Sequence, residues 1–304
     1  MDGLLNILKP PGMTSHDVVN YIRRLAGIKK VGHTGTLDPG AAGVLLVCCG
    51  RATRLIEYLD HDKQYRAEIT FGVVSSTGDS FGELREGEIP GGFSRDLVAG
   101  ILPFFTGAVS QVPPMTSAVR HRGKKLYELS RQGVVVDRRA RTVKIYSLEM
   151  VKWYGCKERP RALLDVRCSA GTYIRTLCHD IGERLGCGAY MSFLLRTGVG
   201  KFLINGASTM EELKELAGRD RLPEAVVSVE EALSFFPAVE INEGAVNSVR
   251  SGATLHPPGV RNAPEGVRQG DMVTLTAEGR VLAVARAAAD DKGRISFKPE
   301  KVLV

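Results

Sequence analysis

The chain has 304 residues, 43% hydrophobic and 25% charged, an ordinary balance for a globular protein of two domains, or of one large domain with an appendage. Lys and Arg exceed Asp and Glu by seven and the sequence pI is near 9.1, which favours a polyanionic partner without saying which. No apolar run has the ~18 residues of a membrane span, the first residues lack a signal-peptide pattern, and the six cysteines form no Cys-x-x-Cys pair. These features argue against a membrane protein, a zinc ribbon and a disulfide framework; a cytoplasmic protein with buried, reduced thiols is expected.

Leu4–Leu8 is a short apolar run ended by Lys9-Pro10-Pro11-Gly12, and reads as a strand entering a turn. Thr14 and Ser15 cap a helix whose face is Val18, Val19, Ile22 and Leu25 and which Gly27 stops. Gly32–Gly43, GHTGTLDPGAAG, is too rich in glycine for a helix and too broken for a strand. Val44–Cys49 reads as a buried strand and Ala52–Leu59 as a short helix. Tyr65, Ala67, Ile69 and Phe71 alternate with polar residues, the pattern of a half-buried strand. Thr77–Gly92 is polar and loop-like, Leu97–Phe105 helical, and Val112-Pro113-Pro114-Met115 breaks the pattern.

Arg120–Lys144 is the most basic stretch, with Tyr127 among its charges; a solvated surface insertion is the plain reading. Leu163–Cys168 alternates as a strand. Gly171-Thr172 then opens a helix with the apolar face Ile174, Leu177, Cys178, Ile181 and Leu185, closed by Gly186. Asn205–Ala238 is acidic and helical. Beyond it, Val239–Ile241, Met272–Leu275, Val281–Arg286 and Ile295–Lys298 alternate between Gly, Pro and Asp-rich turns, a small β-rich module. The whole reads as α+β.

Two residues stand out chemically. Asp38 precedes Pro39, which pushes it toward extended geometry, and the flanking glycines allow close approach of a ligand. The bland alternative is an Asp that bonds its own turn. No second carboxylate stands nearby for glycosidase-type work, no Ser or Cys nucleophile has a matched His, and no Gly-Lys-Ser/Thr follows to make a phosphate loop. Arg175 sits in the first turn of its helix, where the dipole disfavours a cation. It is a functional residue, half of an ion pair, or a surface Arg with a snorkelling stem.

The segments LNILKPPGMTSHDVV, GHTGTLDPGAAGVLLV, KQYRAEITFG and SAGTYIRTLCHDIGERLGCGAYMSFLLRTGVG run in order between Leu5 and Gly200. Together they resemble the TruB-type tRNA pseudouridine synthases, and the tail resembles the small PUA-like domain that closes many of them. The resemblance implies an α+β fold: a pseudouridine-synthase-type mixed, largely antiparallel sheet in a catalytic domain over 1–232, with a basic RNA-clamping insertion at about 118–145, and a PUA-like RNA-binding domain over 233–304. It implies conversion of one tRNA T-loop uridine, position 55, to pseudouridine, with no cofactor and no metal.

Carried over residue by residue, Asp38 matches the catalytic aspartate, and its attack at C6, at C1′ or assistance to a glycal all stay open. Tyr65 matches the tyrosine that stacks on the target base and takes up or relays the C5 proton. Arg175 matches the arginine paired with the aspartate, which would account for a cation in a helix first turn. Tyr173 and Leu194 match positions lining the base pocket, and His33 the histidine that fills the stack vacated in the T-loop. Lys9, with Pro10, matches a turn against the site; it is counted among the substrate-pocket residues, with a mainly structural part. Such chemistry requires base flipping, and Arg120–Lys144 corresponds to the insertion that clamps the tRNA arm.

One departure is Leu195 before Arg196, where relatives often carry two arginines, so one phosphate or structural contact is expected to be missing. The resemblance implies a stand-alone, monomeric, cytoplasmic enzyme of bacterial type that binds the T-arm of tRNA, with no obligatory protein partner and no membrane. The alternatives are an RNA-binding tRNA chaperone and the catalytic subunit of a guide-RNA-dependent complex.

Overall fold

A computed structural model describes residues 1–289 and 293–303. Strand β1 (Gly3–Lys9) ends at Pro10, which cannot donate to a ladder. Helix α1 (Ser15–Ala26) begins at a capping box: Thr14 accepts from the Asp17 N–H, Asp17 accepts from the Thr14 N–H, and Gly27 closes the helix at φ 63°. Its Val18, Val19 and Ile22 pack on Leu5 and Ile7 of β1 and on Leu45 and Val47 of β3 (Ala42–Cys49).

Between them lies a strand the glycine content conceals. β2 (Val31–His33) pairs antiparallel with β3, so the stretch expected to be unpaired begins as a ladder. Val31 is buried and anchors it. After β3, the short helix expected over Ala52–Leu59 is a 3-10 helix over Gly50–Tyr58; its buried Ala52 and Leu55 are three apart, the spacing that such a helix eclipses.

β4 (Lys63–Phe71) keeps the expected alternation. β5 (Val73–Ser75) forms a hairpin with β6 (Leu84–Glu86), inside the expected loop; β6 is exposed throughout and gave no apolar signal. The Leu97–Phe105 helix is split: α2 (Arg95–Ile101) passes into a 3-10 turn at Leu102–Phe105, because Pro103 cannot continue an α-helix. β7 (Gly107–Gln111) follows. The basic stretch forms a two-residue-per-strand hairpin, β8 (Arg120–His121) and β9 (Lys124–Lys125), then α3 (Leu126–Arg131). Its last residues, Arg141–Lys144, belong to the long strand β10 (Arg141–Tyr154) and pair with β7.

β11 (Arg161–Cys168), α4 (Ile174–Arg184) and β12 (Ala189–Val199) follow, then β13 (Phe202–Leu203), α5 (Met210–Gly218), β14 (Val226–Val227) and α6 (Val229–Ala232). The segment expected to be helical thus also supplies an edge strand. The large sheet runs β14-β1-β3-β12-β4-β11-β10-β7, with β2 and β13 alongside β3 and β12. Its pairings are antiparallel except β3 with β12, which meet in parallel at Leu195↔Ala42 and Arg196↔Gly43. α4 packs on one face through Ile174, Leu177, Cys178 and Ile181, in a cluster with Tyr65, Ala67, Ile69 and Leu194.

Gly43 makes the parallel junction possible. Its φ is 122°, and a Cβ there would stand 2.2 Å from the Arg196 carbonyl oxygen. Gly43→Ala is expected to destabilise the fold by at least ~2 kcal/mol, from backbone strain before any steric shift. Denaturant unfolding checks this; an unchanged midpoint would contradict it.

The second sheet takes β15 (Ala238–Ile241), β16 (Val260–Asn262), β17 (Met272–Ala277), β18 (Arg280–Ala289) and β19 (Ile295–Val302) in the order β16-β15-β17-β18-β19, with α7 (Val246–Arg250) packed on it. Leu4, Cys48 and Leu55 of the first unit share a buried cluster with Leu233, Val284 and Leu303, and Lys301 pairs with Glu57 at 2.7 Å. All six cysteines are free and five are buried. Among the described residues, no helix is long and apolar enough to cross a membrane.

Candidate active site

The loop from 34 to 41 joins β2 to β3 and has no regular structure, yet each carbonyl from Gly35 to Pro39 accepts a hydrogen bond. The Arg196 guanidinium donates to Gly35 and Thr36, both at 3.2 Å. The Ser15 hydroxyl donates to Leu37 O at 3.2 Å and accepts from the Leu37 N–H at 2.9 Å. The Ala41 N–H donates to Asp38 O at 3.0 Å, and the Gly12 N–H to Pro39 O at 2.8 Å. A loop whose backbone groups are satisfied in this way is held as firmly as a ladder. Asp38 is therefore fixed from both sides.

Its carboxylate meets Arg175 in a fork: Nε lies 3.1 Å from Oδ2 and Nη2 donates to Oδ1 at 3.3 Å. The Arg175 side chain is 5% exposed and that of Asp38 33%, so the cation lies beneath and the carboxylate faces the opening. The other guanidinium protons go to Thr77 O at 3.2 Å, to Thr116 O at 3.3 Å and to the Thr116 hydroxyl, with Asp79 Oδ2 at 3.7 Å from Nη1. Burial raises the Asp38 pKa above the usual aspartate value, Arg175 pulls it back, and Asp79 pushes it further up. Of the three readings of Arg175, the ion pair is the one formed, and the misplaced cation has its partner in Asp38.

Arg175 owes its place to the start of α4. Tyr173, the residue before that helix, has no side-chain cap; buried Gln111 instead accepts from its N–H at 2.9 Å and donates to its carbonyl at 3.2 Å. Tyr65 and Leu194 are buried in the cluster that includes Leu37 and Ala41, on either side of Asp38. Burial raises the Tyr65 pKa, so the phenol holds its proton near neutrality. Half-buried His33 ends β2; its Nδ1 accepts from the Gly35 N–H at 3.2 Å, and burial lowers its pKa, which keeps the ring neutral.

Lys9 approaches the site from within. It is fully buried, and its ammonium donates to Pro10 O at 2.8 Å, Met13 O at 2.7 Å and Pro39 O at 3.3 Å. Those three carbonyls occupy its donors and tie the Pro10 turn to the Asp38 loop. Burial, helped by the Arg196 charge, brings the Lys9 pKa down to about 8.

Three residues of this arrangement carry no sequence signal of their own, Asp79, Gln111 and Thr116; Ser15 reads only as a helix cap and Arg196 only as the residue that follows Leu195. Arg196 is the most unusual. It is fully buried and makes no ion pair with a carboxylate among the described residues; besides the two loop carbonyls, it donates to Val44 O at 2.6 Å. The sequence marks it only as the arginine that follows Leu195 in the segment ending at Gly200. Leu195 itself is half-buried beside Arg66, on the other face of β12 from Arg196. Among the described residues, no group of three or more His, Cys, Asp or Glu side chains is placed to hold a metal ion.

Comparisons with known proteins find relatives along the whole chain. A family model for the N-terminal domain of the TruB family of pseudouridylate synthases matches residues 23–174, one for the tRNA pseudouridylate synthase B C-terminal domain matches 175–234, and one for the PUA domain matches 237–292. The chain is 51% identical to the tRNA pseudouridine synthase B of Pelotomaculum thermopropionicum, covering 100% of this chain and 97% of that one. It is 44% identical to the protein of the same name from Moorella thermoacetica, covering 99% of each. A solved structure described as a Cbf5-Nop10-Gar1 complex is similar over 99% of this chain and 85% of that one, at 31% identity and a TM-score of 0.76. An H/ACA RNP bound to a substrate RNA containing 2'-deoxyuridine gives 29% identity and a TM-score of 0.75 over 99% and 85%.

Proposed function

The chain belongs to the TruB family of pseudouridylate synthases, and on that premise we propose that it isomerises uridine 55, in the T-loop of tRNA, to pseudouridine. The observation that carries the reading is the Asp38–Arg175 fork on a loop whose every carbonyl from 35 to 39 is held. Such a loop presents one oriented carboxylate to a nucleotide swung out of its stack.

The reaction breaks N1–C1′, turns the uracil and forms C5–C1′; C5 loses a proton and N1 gains one. Asp38 serves as nucleophile at C6 or C1′, or draws off the proton that yields a glycal. Each of these roles needs the ionised form, which Arg175 favours against the cost of burial. Tyr65 closes the pocket with Leu194 and Tyr173. Because its phenol is protonated, it takes the C5 proton only by passing its own on. His33, neutral and planar, fills the space left by the departed base.

The basic hairpin and α3 present Lys125 and Arg131 about the Tyr127 ring, at 5.4 and 5.5 Å from its centre, a surface suited to phosphates and to an unstacked base. The units are a catalytic one over 1–232 and an RNA-binding one over 233–304. The protein acts alone, as a cytoplasmic monomer. The solved relatives in assemblies with Nop10 and Gar1 favour a second reading, a subunit that needs partners.

Tritium release from C5-labelled uridine in a naked T-arm hairpin tests both. Release by the purified chain is the expected result; none, with or without partners, would refute the activity. Under single-turnover conditions the acid limb of the rate is expected above pH 3.8, the ordinary aspartate value, because protonation of a raised-pKa carboxylate removes the active form. Asp79→Asn removes a charge that raises that pKa, so the limb should move to lower pH; a move upward would contradict the assignment.

A further inference from the structure

We infer that Phe81 is a stacking platform for a base of the bound RNA next to the flipped uridine; this rests on the activity proposed above. Phe81 lies in the β5–β6 hairpin and is 77% exposed, as much as any large hydrophobic residue described. A lone exposed apolar side chain is ordinary. This one is distinguished by where it sits and by how firmly it is held.

One edge of the ring rests on the Asp38 loop: a Cβ on Gly40 would stand 2.0 Å from the ring's Cε2 and 2.6 Å from Cζ. The rest of the ring faces solvent two residues from the position that carries Asp38. The Phe81 N–H donates to Asp79 Oδ1 at 3.0 Å, and the Thr77 hydroxyl donates to the same oxygen at 2.6 Å. The other oxygen of Asp79 faces Arg175, which holds Asp38. The hairpin is also fastened to β12: the Met191 N–H donates to Gly78 O at 3.0 Å, and the Ser80 hydroxyl to Ser192 O at 3.1 Å.

A flat π-surface is thus fixed relative to the carboxylate through a single chain of contacts. A uridine that leaves its stack uncovers the faces of its neighbours, and an aromatic side chain beside the opening can cover one of them. Such stacking tolerates any base, and it needs no charge or hydrogen bond from the protein. Phe81 has neither to offer.

The test uses the full chain and a T-arm hairpin, with Kd and the saturating single-turnover rate measured for Phe81→Ala, Phe81→Leu and Phe81→Tyr. Ala and Leu are expected to weaken binding by about tenfold or more, the scale of one base–aromatic stack. Tyr should stay within about threefold of the parent, since it keeps the ring. Thermal unfolding should be unchanged in all three, because so little of the ring is buried. A Phe81→Trp chain should also show fluorescence quenched by the hairpin, against the baseline of the single native Trp153. Unchanged binding in the Ala variant would overturn the inference. So would full rescue by Leu, which would make the ring a mere cover for Gly40. If the parent binds the hairpin yet releases no tritium, the proposed activity fails, while the Leu–Tyr contrast in binding still decides the role of Phe81.

Discussion

Asp38→Asn is expected to bind the T-arm hairpin as the parent does and to lose pseudouridine formation by on the order of 10⁴-fold or more. The amide has the shape of the carboxylate and leaves the loop's backbone bonds in place, so the RNA meets the same surface. It has lost the charge and with it the nucleophilicity. Its NH₂ group also faces a guanidinium that has only donors, so one arm of the Arg175 fork must open. Burial works against the ionised form of Asp38, which offsets part of the cost of leaving the buried Arg175 with a weaker partner. A variant that is inactive, folded and still binding would place the chemistry on this carboxylate. Near-normal turnover would remove Asp38 from the mechanism, and an RNA chaperone would be indifferent to the change.

The opposition between function and stability at Asp38 explains which parts of the site were legible in the sequence. The residues proposed to present chemistry stand in motifs: Asp38 before Pro39, Tyr65 at the head of an alternating strand, Arg175 against its helix dipole. Each breaks or begins a local pattern, and a local pattern is what a sequence displays. Residues that hold the chemistry in place do so across long chain separations. Arg196 reaches back 160 residues to Thr36, and Gln111 reaches forward 62 to Tyr173. Nothing in the window around Gln111 or Thr116 foretells such a partner.

The same division runs through the fold. Strands with a buried alternation were evident, over Tyr65–Phe71 and Leu163–Cys168, each two residues short at its start, and so was the capped helix after Thr14. β2, β6 and β14 were not, because a two- or three-residue strand exists through its partner and has no period of its own. Proline and spacing decided the split at Pro103 and the 3-10 geometry after Cys49, both readable in hindsight from local chemistry.

Arg196→Met is expected to fold and to slow the reaction by on the order of 10²-fold, with the loss in kcat rather than KM, as a loop displaced by about an ångström would give. The guanidinium holds Gly35, Thr36 and Val44 by their carbonyls, at the one place where two strands of the large sheet run parallel. Its removal leaves those carbonyls without donors, at about 1–3 kcal/mol for each that water does not reach. It also relieves the chain of a buried cation without a counter-charge, and the two effects oppose. Stability is thus expected to fall by less than the three lost bonds imply, while the loop that carries Asp38 loses its grip on one side. Arg196→Lys separates the two ways in which this residue acts. It keeps the charge that lowers the pKa of Lys9, but a single ammonium cannot span carbonyls on both the loop and β3 as the fork does. If Arg196 works by holding the loop, the lysine variant stays slow and its kcat follows that of the methionine variant. Recovery of kcat by lysine would show instead that the buried charge alone is what the site requires.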